Sequence, residues 1–401
     1  IERGFPSERE PSETAEEKEA RVSIGILGGG QLGYMLALAG YPLGLRFRFL
    51  DPSPEAPVGR IAPRVTGDFS DRAALEKFAH GLEVVTYEFE NVPVDAAHFL
   101  AKHVPVYPPP GALEAAQDRL REKQLFEKLG IATTEYASVP AASDLDQALK
   151  KVGMPAVVKT RRMGYDGKGQ WTLRTPEEVK VAKEGLPRLP IIVESFVPFK
   201  RELSVIAVRG KTGETAFYPL VENHHRNGIL RLSLASAPGV SPEIQKAAED
   251  AARKVLESLN YVGVLAIEFF EHDGKLLANE MAPRVHNSGH WTIEGAVTSQ
   301  FENHLRAICG LPLGSTAVIG ASAMINLIGE VPESAQVLAI PSAHLHLYGK
   351  EPRPGRKLGH VTLRAPSFED LLSRFASLPA FFQRPDFCLG GASPKSIPPR
   401  P

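Results

Sequence analysis

A short, mostly apolar run over positions 22–27 passes straight into Gly28-Gly29-Gly30-Gln31-Leu32-Gly33 and a second apolar stretch over 34–40. This reads as strand, tight turn and helix. A further strand is predicted over 45–50, ending at Asp51, then a helix over 71–80 and a strand over 83–87. Strands alternating with helices predict a parallel sheet wrapped by helices. A helix is predicted over 112–129, with Gly130 as its C-cap.

The pattern changes near Thr133. Strand-like runs fall at 156–160, 170–173, 191–195 and 203–209, with helices at 145–152 and 176–184. The segment 241–260 is amphipathic at helical spacing, with Ser241 as a cap and Pro242 in the first turn. After Gly310 come short strands at 321–328, 342–348 and 360–364, which predict a small β-rich C-terminal module. No internal repeat is apparent.

The most informative pattern is GVLAIEFFEHDGKLLANEMAPRVHNSGHWT, which begins at Gly263. Two apolar runs flank Asp273-Gly274, a hairpin signal. Each run carries one glutamate in apolar company, Glu268 and Glu280, with Asn279 beside the second. Burying two carboxylates costs several kcal/mol unless a positive charge neutralises them. A hard divalent cation such as Mg²⁺ takes oxygen ligands and shares them with nucleotide phosphates. The two glutamates share a face only if the loop holds an odd number of residues, as in a three-residue turn with a left-handed glycine. Taken alone, the hairpin also fits two solvated glutamates on an outer face.

Length and charge narrow the field. A chain of 401 residues supports two or three domains. A net charge of −1 argues against a protein that coats nucleic acid or lies on a membrane surface. Two cysteines, Cys309 at a predicted helix end and Cys388 in the tail, argue against a structural disulfide and for a reducing, cytoplasmic setting. No apolar run approaches the roughly 18 residues needed to span a bilayer. The acidic first twenty residues lack the apolar centre of a secretory signal and read as a disordered leader. The Pro- and Ser-rich end from Ala392 is equally unsuited to packing.

Two glycine loops carry candidate phosphate chemistry. The first matches G-x-G-x-x-G between a strand and a helix, with Asp51 near the position of a ribose-binding acid. It predicts an anion at a helix N-terminus, with a glycine-rich turn that binds nothing as the plain alternative. The second, Arg161-Arg162-Met163-Gly164-Tyr165-Asp166-Gly167-Lys168-Gly169-Gln170, joins two strands and follows Lys159. It lacks the G-K-[ST] of a P-loop, yet three glycines among basic residues suit a mobile cover over polyphosphate. Glu194-Ser195-Phe196-Val197 ends a strand, where a carboxylate and extended backbone suit an adenine edge. Glu202 follows as a second carboxylate suited to ribose hydroxyls; taken alone, each glutamate is more often a solvated surface charge. The loop Arg284-Val285-His286-Asn287-Ser288-Gly289-His290 reads as an anion or substrate cradle; Gly289 and the absence of a metalloprotease glutamate argue against zinc. Lys350 and Arg356-Lys357 form a basic turn, which fits a solvated loop equally well.

Read in order, GGGQLG, VVKTRRMGYDGKGQW, ESFV with RELS, EFF with LLANEMAPRVHNSGHWT, and GRKLGH resemble the ATP-grasp ligases. Within them the chain is most similar to the 5-(carboxyamino)imidazole ribonucleotide synthetases of purine biosynthesis, collinearly from about Val22 to Ala365. The resemblance implies an α/β and α+β architecture: an ATP-grasp fold with an N-terminal parallel α/β (Rossmann-like) domain and a small C-terminal β-rich domain. The implied divisions are a leader (1–20), the N-terminal domain (21–118), the ATP-grasp (119–312, small lobe 134–209), the C-terminal domain (313–391) and a tail (392–401).

The resemblance also implies roles. Arg119 and Lys159 would contact ATP phosphates, under a cover made of Gly164, Tyr165, Asp166, Gly167, Lys168, Gly169 and Gln170. Glu194, Ser195, Phe196 and Val197 would hold adenine, Glu202 the ribose, and His225 (or its neighbour His224) the nucleotide. Glu268 and Glu280 would ligate Mg²⁺, with Asn279 near the nucleotide. The ribonucleotide would meet Gly30, Gln31, Leu32, Glu88, Tyr165, Asp166, Arg284, His286, Asn287, Ser288, Lys350, Arg356 and Lys357. Lys159, Asp166, Arg284 and His286 would serve the chemistry. Small-molecule partners only, with no nucleic acid and no membrane, and a homodimer are implied.

The implied reaction is attack of bicarbonate on MgATP to give carboxyphosphate and ADP, then carboxylation of aminoimidazole ribonucleotide. Either Asp166 or a histidine of the 286–290 loop would accept the amine proton. Three rivals remain at this level: another ATP-grasp carboxylate–amine ligase, a dinucleotide-dependent oxidoreductase built on the first glycine loop and Asp51, and a non-catalytic nucleotide-binding module, against which both glutamates and Lys159 argue.

Overall fold

The computed structural model describes residues 23–164, 167, 169–185, 190–376 and 378–383. The leader, the tail, Cys388 and the loop residues Tyr165, Asp166 and Lys168 lie outside the described residues.

The opening β/α alternation builds a four-stranded parallel sheet in the order Arg64–Thr66, Arg46–Asp51, Ser23–Leu27, Val84–Tyr87. Its central strands are buried on both faces, with Ile24, Ile26 and Phe49 covered on one and Leu27 and Leu50 on the other, as a helix-wrapped parallel sheet requires. The short Arg64–Thr66 strand and the Val94–Leu100 helix have weak patterns and add to the predicted elements.

The helix predicted over 112–129 is two helices, Pro110–Ala116 and Arg119–Lys128. Asp118 breaks it. Its carboxylate caps the second helix through the Leu120 N–H at 3.0 Å. Arg161 clasps the same carboxylate with two bonds, 2.9 and 2.7 Å. The base of the second glycine loop is thereby tied to the start of the Arg119 helix. Gly130 takes φ 64° after that helix, as a left-handed C-cap.

The small lobe is a four-stranded antiparallel sheet, ordered Tyr136–Val139, Ile191–Ser195, Ala156–Thr160, Gln170–Leu173. The large sheet has nine strands. It begins with the hairpin Lys275–Ala282 and Gly263–His272, continues through Arg201–Arg209 (flanked by Thr215–Phe217), and then Val221–Arg226 and Ile229–Ala235. The strands Ala321–Ile328, Lys357–Ala365 and Ala343–Leu347 extend this same sheet. The β-rich C-terminal segment thus builds no sheet of its own. Its pairing with Ile229–Ala235 satisfies an edge that would otherwise be open.

Alternation along the large sheet assigns its two faces. Leu203, Val205, Ala207, Leu265 and Ile267 pack against the amphipathic helix Pro242–Ser258. The opposite face buries Ile206, Val208 and Val264 beneath Trp291, Phe301 and Leu305. Farther along that second face the positions become polar: Glu202, Ser204, Asn223, Glu268 and Glu280. Strand register keeps them together, since Glu268 pairs with both Ser204 and Glu280, and Asn223 pairs with Glu202.

The hairpin differs from its prediction in one respect. Its turn has two residues, Asp273 (φ 49°) and Gly274 (φ 70°), between the paired His272 and Lys275. An even loop would place Glu268 opposite Asn279. A bulge corrects the parity: the register shifts between Glu268 and Phe269, Asn279 is the extra residue, and Glu268 faces Glu280.

Candidate active site

Between the small lobe and the polar face of the large sheet lies a cavity of about 1550 Å³. Both phosphate-type residues, the adenine-type strand end and the carboxylate hairpin open into it.

The hairpin supplies the floor. Glu280 Oε2 lies 2.6 Å from Arg119 Nη1. Burial opposes ionisation of Glu280, but Arg119, Lys159 and His286 outweigh it and hold the carboxyl below its ordinary range. Glu268 goes the other way: burial and the facing Glu280 charge raise it, against His225. Two carboxylates so placed repel, and a cation between them relieves that repulsion. With only oxygen donors on the hairpin, including Asn279 Oδ1, the set fits a hard divalent ion.

Lys159 Nζ donates to Glu194 Oε2 at 3.0 Å and to Asn279 Oδ1 at 3.2 Å. Thr134 donates to the same Glu194 oxygen at 3.0 Å, and Lys123 Nζ lies 3.4 Å away. Burial raises the Glu194 carboxyl, yet Lys123, Lys159 and Arg119 bring it to about 2, so it is ionised. Its other oxygen, Oε1, is buried and has no hydrogen-bond partner among the described residues. A buried carboxylate oxygen without a donor calls for one from a ligand.

Lys123 is the principal residue that motif reading passes over. It is fully buried, one helical turn from Arg119, and donates to Thr133 Oγ1 at 2.8 Å and to Ala278 O at 3.1 Å. Its neighbour Glu122 accepts from the Met281 N–H at 2.6 Å. Side chains of the Arg119–Lys128 helix therefore bond the outer edge of the hairpin on both sides of the bulge. The four-residue spacing of Arg119 and Lys123 was the available signal.

Glu202 Oε2 lies 2.8 Å from His225 Nδ1. Burial lowers the His225 ring, but the Glu202 charge, aided by Glu268, overrides this and raises it to about 9. His224 turns away and lies 3.1 Å from Glu222. Of the two neighbouring histidines, His225 is the one beside Glu202. Ser195, Phe196 and Val197 line the cavity at the end of their strand.

In the second glycine loop, Gly164, Gly167 and Gln170 line the cavity. Gly167 has φ +72°, and a Cβ there would sit 2.8 Å from Gly228 Cα. Gly167 thus rests on the tip of the hairpin formed by Val221–Arg226 and Ile229–Ala235. Gly169 follows it at φ +74°.

At the far end, Arg284 is held by a hydrogen bond from its Nε to Glu90 and by a 2.9 Å bond to Val285 O. Burial raises the Glu90 carboxyl, and the Arg284 charge more than reverses it. Glu90 adjoins the predicted Glu88 but carried no motif. His286 Nε2 lies 3.4 Å from Glu268 Oε1. Burial, with the Arg284 and Lys357 charges, lowers its ring to about 3. Asn287 lines the cavity, whereas Ser288 is fully buried against His286. Lys357 lines the cavity, and Arg356 donates to Glu351 O at 3.0 Å outside it.

The first glycine loop corrects one expectation. Its Gly30 and Gly33 N–H groups both donate to Glu88, the latter at 2.7 Å. Asp51 accepts from the Gly29 N–H at 2.7 Å. The protein's own carboxylates fill the places where a dinucleotide's pyrophosphate and ribose would bind, so the oxidoreductase reading fails. A Cβ on Gly30 would meet Glu88 Oε1 at 2.5 Å, which explains the glycine. Gln31 and Leu32 face the cavity, and Lys350 Nζ donates to Gln31 Oε1. The C-terminal basic turn is thereby docked on the first loop.

Comparison with known proteins agrees with this arrangement. Residues 22–117 match the ribonucleotide synthetase preATP-grasp domain, 124–301 the ATP-grasp domain, and 322–374 the phosphoribosylaminoimidazole carboxylase C-terminal domain. The chain is 54% identical to the N5-carboxyaminoimidazole ribonucleotide synthase of Pseudomonas aeruginosa, over 90% of this chain and 100% of that one. Its structure is similar to that of the corresponding synthetase from Thermus thermophilus (TM-score 0.85, 61% identity, 89% and 98% coverage). It is also similar to an Aspergillus clavatus synthase solved with ADP and aminoimidazole ribonucleotide (TM-score 0.83, 33% identity, 89% and 97% coverage).

Proposed function

Since the chain belongs to the N5-carboxyaminoimidazole ribonucleotide synthase family of ATP-grasp ligases, we propose the following assignment of its residues to the family reaction. The enzyme carboxylates 5-aminoimidazole ribonucleotide at the expense of ATP, in purine biosynthesis.

Glu268 and Glu280 hold Mg²⁺, which neutralises charge on the ATP phosphates when bound. Arg119 and Lys159 bind those phosphates, and the loop from Gly164 to Gln170 covers them. The supporting observation is the opposed Glu268–Glu280 pair, ringed by these cations at the floor of one cavity. Glu194 Oε1 accepts from the adenine amino group, which would give that buried oxygen its missing donor. Glu202, carried beside His225, takes the ribose hydroxyls.

The ribonucleotide occupies the far end, between Gln31, Leu32, Arg284, His286 and Asn287. Lys357, with Lys350 bonded to Gln31, carries the positive charge there, Arg356 of the same basic turn stays outside the cavity, and Glu88 shapes the first loop. Bicarbonate attacks the terminal phosphate to give carboxyphosphate, which hydrolyses readily. Covering the site with the glycine loop excludes water from it. Phosphoryl transfer needs positioning and charge stabilisation more than covalent help, and this residue set supplies both.

Domain divisions near residues 118 and 312, and a cytoplasmic homodimer, complete the proposal. Their support is the family resemblance; among the described residues no helix is long and apolar enough to cross a membrane. The deciding experiment is ADP release with bicarbonate and Mg²⁺, with and without aminoimidazole ribonucleotide. Stimulation by the ribonucleotide is expected. Stimulation by formate or another amine in its place would move the chain to a different ligase activity.

A further inference from the structure

A row of buried polar side chains crosses the large sheet beneath the candidate active site and ends on His286. Ser233 Oγ donates to Asn223 Oδ1 at 2.8 Å, and Asn223 Nδ2 donates to Ser204 Oγ at 2.9 Å. Ser204 Oγ donates to Ser288 Oγ at 2.8 Å, and Ser288 Oγ lies 2.9 Å from His286 Nδ1. Ser204, Ser233 and Ser288 are fully buried, and Asn223 is 4% exposed. Three polar side chains on adjacent strands of a sheet floor have no packing reason to be there. Apolar residues would cover the same area without needing partners.

The direction of this chain of bonds follows from one fixed end. The backbone N–H of Ser288 also points at His286 Nδ1, at 3.3 Å. A backbone N–H only donates, so Nδ1 accepts and carries no hydrogen. The Ser288 hydroxyl hydrogen then goes to Nδ1 as well, and its oxygen is left to accept. Ser204 must donate to it, and so must itself accept. That requires the amide nitrogen of Asn223 on the Ser204 side and its oxygen toward Ser233. Every group in the row is satisfied in this one sense only.

We infer that Ser204, Asn223 and Ser233 are positioning residues that lock His286 as its Nε2–H tautomer, making it a hydrogen-bond donor in the site rather than a proton acceptor. Nε2 faces Glu268 Oε1 at 3.4 Å, beside the carboxylate hairpin. A donor there suits an anionic oxygen of bicarbonate or of the carboxylated intermediate. A nitrogen that already bears hydrogen takes no proton from the substrate amine. His286 is thereby removed from the groups considered for that step. Second-layer partners commonly fix the tautomer and orientation of a working imidazole in this way.

The same reading accounts for the choice of asparagine at 223. An amide offers a donor to one neighbour and, from a separate atom, an acceptor to the other, so one buried side chain bridges Ser204 and Ser233. An aspartate of the same shape accepts from both sides and withdraws the Ser204 hydrogen from Ser288.

The inference rests on His286 standing at the reacting groups, and the test separates the two. Full-length protein with ¹⁵N-histidine is compared with a His286→Gln control to assign the ring. A pyrrole-like Nε2 and a pyridine-like Nδ1 are expected for His286. Asn223→Asp should mix the tautomers and lower kcat roughly 10- to 100-fold, with KM for ATP unchanged. Should that variant not fold, Ser204→Ala is expected to move the ring signals and kcat the same way, less strongly. A wild-type spectrum with hydrogen on Nδ1 overturns the inference, as does a folded variant with unaltered ring signals. If His286→Gln carboxylates normally, the role given to His286 fails while the tautomer result stands.

Discussion

Glu268 stands directly opposite Glu280 across a hairpin whose two-residue turn should have kept them on different faces. Asn279, the extra residue of the bulge, makes the difference. It also accepts from Lys159 at 3.2 Å, so the residue that resets the register contacts the lysine proposed for the phosphates as well. Bulges beside active sites commonly re-aim a side chain in this way.

Glu280→Gln tests the metal assignment. The substitution keeps an oxygen for Arg119 but removes the charge a divalent ion needs. Ribonucleotide-stimulated ADP release should fall roughly 100- to 1000-fold. Circular dichroism should match the parent protein. Normal ADP release at the usual Mg²⁺ concentration would refute the assignment.

Gly167→Ala tests the cover. Alanine is strained at φ +72°, and its methyl would press on Gly228. The small lobe should still fold, since the loop lies outside its sheet. Carboxylated product should fall roughly 10- to 100-fold, and less of the ADP formed should be matched by product. Unchanged coupling of ADP to product would show that the loop does not seal the site.

Lys123→Met removes a buried ammonium that bonds Thr133, Thr134 and the edge carbonyl of Ala278. Stability should drop by about 2–4 kcal/mol, because three acceptors and Glu194 lose a partner. KM for ATP should rise as Glu194 shifts toward Lys159. Denaturant unfolding and ATP titration check the two effects separately. A stable variant with an unchanged KM would remove Lys123 from the site's support.

His225 gives a pH signature. Its folded-state value, about 9, lies above the ordinary 6.5, so the folded protein holds this proton more tightly than the unfolded chain. The His225–Glu202 pair therefore stabilises fully below about pH 6.5, and the contribution is lost as pH rises through about 9. His225→Gln should reduce the stability difference between those pH values by on the order of 1–3 kcal/mol. Parallel stability curves for parent and variant would contradict the pairing.

Periodicity carried the elements whose patterns are local. The β/α alternation, the Ser241-capped helix and the carboxylate hairpin could be read because side-chain period and capping chemistry belong to neighbours in sequence. The break at Asp118 was harder. The run through it is helical in pattern, and what stops it is a capping side chain clasped by Arg161, 43 residues away. The Val221–Arg226 and Ile229–Ala235 hairpin did carry an Asn227-Gly228 turn signal, but its strands are mixed in polarity.

By itself the sequence determined which chemistry is present: two glycine loops, paired glutamates, a lysine at a strand end and a basic turn. Only the tertiary structure decided how it is used. Parity at the hairpin depends on a bulge, and the first glycine loop is filled by Glu88, 58 residues from Gly30. Lys123 serves Glu194 across 71 positions, and its burial is invisible in a helix that reads as charged. Residue types and their spacing set local conformation through sterics and hydrogen bonding along the chain. Which donor meets which acceptor is a property of distance in space, and it is fixed only when the sheets close over their cores.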